Sequence, residues 1–173
     1  MKTLMKFGFG SGLFLAATCF ALLGQSSGPD VVFAKKAAAG GMAEVKLGQL
    51  AQEKGSSEAV KAFGKRMELD HSKADDELKE VASKSNIDLP PDLNKKDQAT
   101  YDRLSKLSGA AFDRAYAQDM VTDHQEDIAE FKKEAGGGQN EDIKKFASST
   151  LPTLEDHLRQ AREMEKSVTA GGQ

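Results

Sequence analysis

The sequence is poor in the residues on which most small folds depend. It has one cysteine, Cys19, so neither an intrachain disulfide nor a cysteine-based zinc site can be built. It has no tryptophan and four prolines, and after residue 28 no stretch alternates apolar and polar residues for long enough to make a strand. It lacks an excess of charge: 24 Lys and Arg face 27 Asp and Glu, a formal net charge of -3. A nucleic-acid binder would show a basic patch, and none is present. A phosphate loop and a nucleophile elbow are also missing. Gly136-Gly137-Gly138 reads as a linker, because no Lys-Ser/Thr pair and no strand accompany it. The 173 residues amount to about one domain.

The first segment differs from the rest. Residues 1–28 carry only Lys2 and Lys6 as charges, followed by an apolar run from Phe7 to Leu23 and a small-residue exit at Gly24, Ser26, Ser27 and Gly28. This is the layout of a secretory signal peptide, with cleavage expected between Gly24 and Ser27. The run falls short of the ~20 residues of a spanning helix, which favours a cleaved signal over a retained anchor. Cys19 sits inside the run without a proper lipobox and leaves with it. The net charge then moves from -3 to -5, and a domain at 29–173 remains, with no transmembrane segment, destined for the periplasm, the cell envelope or secretion.

That domain is rich in Ala, Lys, Glu, Leu and Gln, which are helix formers. A first helix is expected from an Asp30 cap to Lys54, with close packing or a kink at Gly40-Gly41. A second runs from Ser56 or Ser57 to Ser85, with Asn86 as the stop. Leu89-Pro90-Pro91-Asp92 is a turn, and a short helix follows over 93–107. Ser108 caps a long helix to Ala135, and Asn140 caps a last one to Val168, with a kink near Ser148 because Pro152 removes a backbone bond. Four long helices and one short connector between the second and third describe an all-α four-helix bundle.

Each of the three histidines follows an aspartate: Asp70-His71, Asp123-His124 and Asp156-His157. From composition the chance of this is about 5 in 10,000. Two of the pairs share Met-x-x-Asp-His at an offset of 53 residues (Met67 to His71, Met120 to His124), and Ala62-Phe63 matches Ala115-Tyr116 upstream. Spacing of 3 and 4 places His71 in the stripe Val60, Phe63, Met67, Ala74, Leu78 and His124 in the stripe Phe112, Tyr116, Met120, Ile128, Phe131. His157 falls in the stripe Ile143, Phe146, Leu154, Ala161, Met164. Glu44 falls in the weaker stripe of the first helix. Every long helix thus turns one ionisable group inward.

At one level of a bundle, Glu44, His71, His124 and His157 can coordinate a divalent transition metal, whether Fe, Zn, Cu, Mn or Ni. Asp70, Asp123 and Asp156 point ~100° away from their own histidines. Each can orient a histidine of a neighbouring helix or pair with a surface cation. A metal-free polar layer is the competing reading of the same residues. Glu68-x-x-His71 matches one element of a di-iron site, but neither of the other histidines has a glutamate at that position, so a ferroxidase centre is disfavoured and Glu68 is assigned to the solvated face. Met42, Met67, Met120 and Met164 read as core fillers.

Gly40-Gly41-Met42-Ala43-Glu44-Val45, Met67-x-x-Asp70-His71-x-Lys73, Leu107 to Tyr116, Met120-Val121-x-Asp123-His124 and Leu151-Pro152-x-Leu154-x-x-His157-Leu158 resemble a bacterial family called domain of unknown function 4142. The resemblance covers residues 30–166. It implies a ferritin-like four-helix bundle, export, and the envelope association behind the outer-membrane label these proteins often carry, and its pattern includes Glu44, His71, His124 and His157. It implies no activity. The expectation is an exported bundle with a transition-metal site serving metal handling or stress defence; the alternative is a metal-free envelope module with a pH-responsive histidine layer. No general base or substrate pocket can be named, so the sequence assigns no enzymatic activity.

Overall fold

The computed structural model describes residues 28–170, which form five helices: α1 (Gly28–Lys54), α2 (Glu58–Lys84), α3 (Lys95–Leu104), α4 (Gly109–Gly137) and α5 (Glu141–Ala170). The signal segment expected over 1–28 lies, but for Gly28, outside the described residues, and so does Cys19. No strand occurs among the described residues, and none of their helices is long and apolar enough to cross a membrane. α1 packs mainly on α2 and α4 mainly on α5. The two hairpins close on each other through α2 with α5 and α1 with α4, and α3 lies across α1 and α4 in the connection between them. This is a four-helix bundle with a short extra helix.

Helix ends follow local chemistry. Asn86, with φ 52°, turns the chain out of α2 while the Ile87 N–H returns to the Ala82 carbonyl at 2.9 Å. The Asn94 side chain accepts from the Asp97 N–H at 3.0 Å, so α3 starts two residues after Leu93. Asn140 does the same for α5, accepting from Asp142 and Ile143. α5 runs unbroken through Pro152, with the Ser149 and Thr150 hydroxyls donating to the Phe146 carbonyl in the preceding turn.

Asp30 does not cap α1, which already begins at Gly28. Its carboxylate is fully buried and accepts from the Gln139 and Asn140 N–H groups at 3.1 and 2.8 Å, holding the α4–α5 turn. Periodicity reports the face a residue occupies but not the loop that face meets, and the half-buried backbone donors of that turn find their acceptor there. Asp113, at the start of α4, treats the α1–α2 turn alike: it accepts from the Ser56 and Ser57 N–H groups at 3.0 and 2.9 Å.

At Gly40 an added Cβ meets nothing within 4 Å, whereas at Gly41 it sits 2.0 Å from Asp75 Oδ1. The closest approach of the α1 and α2 backbones lies further along. A Cβ on Gly48 would be 2.4 Å from the Gly64 carbonyl oxygen, and one on Gly64 would be 2.6 Å from Ala51 Cβ.

The core divides into two apolar clusters. One gathers Leu47, Leu50, Val60, Phe63, Met67, Phe112, Tyr116, Met120, Ala161 and Met164; the other gathers Phe33, Ala38, Leu78, Ile128, Phe131, Ile143, Phe146 and Leu154. What lies between them is polar.

Candidate metal centre

On every long helix the inward ionisable residue falls between the two clusters. Glu44 lies between Ala38 and Leu47, His71 between Met67 and Leu78, His124 between Met120 and Ile128, and His157 between Leu154 and Ala161. Because the clusters are the two halves of one bundle core, these four residues share a single layer. All are buried: Glu44 and His124 are 0% exposed, His157 1% and His71 7%.

The three imidazoles converge. Their ring centroids are 5.8 Å apart for His71 and His124, 5.4 Å for His71 and His157, and 5.4 Å for His124 and His157. One ligand nitrogen from each lies within 4.8 Å of the other two. Tetrahedral ligation at about 2.0–2.1 Å needs nitrogens roughly 3.3 Å apart, so small ring rotations close the site on an ion. Phe63 forms a lid on the Met67 side, its ring 6.3 Å from His124 and 6.4 Å from His157.

Hydrogen bonds fix which nitrogens are bare. His124 Nδ1 donates to the Met120 carbonyl at 2.9 Å, which leaves the Nε2 lone pair unpartnered. His157 Nε2 donates to Asp70 Oδ2 at 2.8 Å, which leaves Nδ1 unpartnered. His71 Nε2 has no partner either. Burial lowers the affinity of all three rings for a proton. The value for His124 falls to about 4, with burial the main cause and His157 the next. At neutral pH the layer therefore presents uncharged imidazoles with free lone pairs, the form that a metal ion requires.

Of the three aspartates, Asp70 meets a histidine from another helix. It also accepts from Arg66 Nε at 3.1 Å. Burial pushes the Asp70 carboxyl up, but the bonds from His157 and Arg66 outweigh it and hold the group below its usual range. Asp156 pairs instead with Arg66 at 2.9 Å and with Arg159 at 2.6 Å, while Asp123 lies 3.8 Å from the Lys96 ammonium. Glu68 accepts from Gln49 and Gln52 on the outer face of the α1–α2 pair.

Glu44 shares the layer but stands apart from the imidazole group. Its strongest charged neighbours are Asp123, Asp127 and Asp97; neither of its oxygens meets an N–H or hydroxyl donor, and its hydrogen-bonding neighbour is the Asp123 carboxyl. Burial, then Asp123, raise its pKa well above the usual carboxylate range. Tyr116, fully buried with an unpartnered hydroxyl, feels the same carboxyl: burial, then Glu44, raise its phenol. Periodicity did not single out Asp127, and it placed Tyr116 in the inward stripe only as a core filler. Asp127 was detectable as the acid one turn beyond Asp123, and Tyr116 as the hydroxyl on an otherwise apolar stripe.

The layer thus contains five buried, unpartnered polar atoms: both Glu44 oxygens, His71 Nε2, His124 Nε2 and His157 Nδ1. Each such atom costs about 1–3 kcal/mol. Set against a whole-domain stability of about 5–15 kcal/mol, that cost is large enough to make the layer the least favourable part of the core.

No curated protein matches the sequence. Among solved structures, a DUF305 fragment from Deinococcus radiodurans is similar, with a TM-score of 0.70 at 14% identity, over 84% of this chain and 98% of that one; at that identity the likeness is one of fold. The family model described as domain of unknown function (DUF4142) matches residues 19–164, which takes in all three histidines and all of the bundle but the last six residues of α5, and the chain belongs to that family.

Proposed function

We propose that this protein is an exported helical bundle that binds one divalent transition metal ion in its core, held by His71, His124 and His157, with Glu44 supplying the compensating negative charge or a fourth ligand. The observation that carries this reading is the convergence of three buried, uncharged imidazoles, each with a nitrogen that no protein group satisfies. Asp70 supports it by fixing the His157 ring through the nitrogen opposite the bare one, as outer carboxylates do for metal-bound histidines. Three neutral nitrogens and one carboxylate suit Fe, Zn, Cu, Mn or Ni. A bound ion would supply a Lewis-acid or redox centre in the buried layer between the two apolar clusters. The signal-like residues 1–28 support export, and the role that follows is metal handling or stress defence in the envelope.

The test is metal analysis of the purified mature protein, with thermal unfolding in the presence and absence of each ion, for wild type and His124→Ala. Wild type should carry or take up one ion per chain and melt higher with it, and His124→Ala should lose that rise. If no ion raises the melting temperature, the metal reading is dead, and the layer belongs to a metal-free envelope module.

A further inference from the structure

We propose that the acidic cleft between α1, α3 and α4 is the port through which a divalent cation reaches the histidine layer, with Glu44 as the carboxylate that receives it; this rests on the metal-binding reading above. The cleft, of roughly 380 Å³, brings Asp97 from α3 together with Asp119, Asp123 and Glu126 from α4. Against these four carboxylates stand two cations, both engaged: Lys96 with Glu126 at 2.5 Å, and Arg103 with Asp119. The groove on α4 and α5 has the opposite balance, four cations (Lys132, Arg159, Arg162, Lys166) against two carboxylates. A cation approaching the bundle is therefore drawn to one face and repelled from the other.

Surface carboxylates alone are ordinary solvated groups. What distinguishes this cleft is its inner wall. Ala43 and Met120 line it, the first adjacent in sequence to Glu44 and the second the residue whose carbonyl holds His124. Behind that wall Glu44 is fully buried and meets no N–H or hydroxyl donor; its hydrogen-bonding neighbour is Asp123, itself a lining residue of the cleft. Asp123 touches solvent and Glu44 shares the imidazole layer, so the pair forms a continuous run of carboxyl groups from cleft to core. The crowding of negative charge is visible in Asp97 and Asp127, whose carboxyls are raised by burial first and by Asp123 next.

The test is stopped-flow uptake of Co(II) by the mature protein, followed by its d–d absorption, for wild type, Asp97→Asn/Asp119→Asn, Lys96→Gln and, as a control on the far face, Glu155→Gln. The double variant should load about tenfold more slowly at low ionic strength, with the difference shrinking in high salt, while the final stoichiometry and Kd stay as in wild type. Lys96→Gln should load faster, and Glu155→Gln should match wild type. Equal loading rates for wild type and the double variant, with one ion bound in each, overturn the port and leave the metal site standing. A weaker Kd at an unchanged loading rate overturns it too, since the carboxylates would then belong to the site itself. Wild type that takes up neither Co(II) nor any of Fe, Zn, Cu, Mn and Ni overturns both readings. If circular dichroism finds the double variant unfolded, Lys96→Gln decides, and loading no faster than wild type sinks the proposal.

Discussion

Asp30 and Asp113, 83 residues apart, perform the same task at opposite ends of the bundle. Asp30 accepts from the N–H groups of Gln139 and Asn140, and Asp113 from those of Ser56 and Ser57, which are also 83 residues apart pairwise. Each hairpin thus lends an aspartate near the start of its first helix to the turn of the other. The spacing relates the α1–α2 hairpin to the α4–α5 hairpin, and it differs from the offset of 53 that relates Met67–His71 to Met120–His124.

Removing either carboxylate leaves backbone donors without an acceptor. Asp113→Ala and Asp30→Ala should each lower unfolding stability by about 1–3 kcal/mol in urea titrations. Being at opposite ends, their effects should add in the double variant. A double variant no worse than either single one would show that the two turns unfold as one unit.

Asp70 positions a ring and does not itself line the imidazole cluster. Asp70→Asn should weaken metal binding about 10–100-fold, read by competition with a chromophoric chelator, while uptake of one ion per chain persists at high concentration. An unchanged affinity would mean that packing against Phe63 alone holds His157.

In the absence of metal the histidine layer is a liability. His71→Leu, which replaces an unpartnered imidazole with an apolar group of similar volume, should raise the melting temperature of metal-free protein by several degrees, about 1–2 kcal/mol. It should also abolish the rise seen on adding metal. A less stable metal-free variant would place the worth of His71 in its own packing.

Asp75, pressed against α1 at Gly41, is raised to about 7, chiefly by burial. Its folded value lies above its unfolded value near 3.8. Below that value both states hold the proton and nothing is lost. Between about 4 and 7 the unfolded chain releases the proton first, so stability falls as pH rises, and the full penalty applies above 7. Asp75→Asn should therefore be neutral at pH 4 and stabilising at pH 8, by about 1 kcal/mol once partial solvation of the carboxyl is allowed for. Chemical unfolding at the two pH values checks it, and an equal gain at both would contradict the assignment.

Gly64→Ala should destabilise the α1–α2 pair by about 1–3 kcal/mol, because its Cβ would meet Ala51 Cβ at 2.6 Å and the Gly48 carbonyl at 2.7 Å. Gly40→Ala, with nothing within 4 Å, should be neutral or slightly stabilising. The two urea midpoints give a direct comparison.

Much of this molecule is legible from spacing. The 3,4 periodicity that placed His71, His124 and His157 inward reflects burial of an apolar stripe, and the structure keeps those stripes in the core. Periodicity is blind to what stands opposite. It placed Glu44 inward without revealing that its neighbours are Asp123, Asp127 and Asp97, because those come from other helices. It read Asp30 as a local cap because the turn that Asp30 serves lies more than a hundred residues away. Pro152 marked a missing N–H inside the last helix, and α5 keeps its helical turns on both sides of it. Close packing was expected at Gly40-Gly41; it is met at Gly41, and the tightest backbone approach is at Gly48 and Gly64, where two helices rather than one set the requirement.

The packing of α1 on α2 and of α4 on α5 makes each hairpin largely self-contained, with thinner contact between them. His71 belongs to the first hairpin, and His124 and His157 to the second. Any ion shared by these three side chains acts as a rivet through the seam. Loading would then slow amide exchange most for residues facing that seam and least within each hairpin.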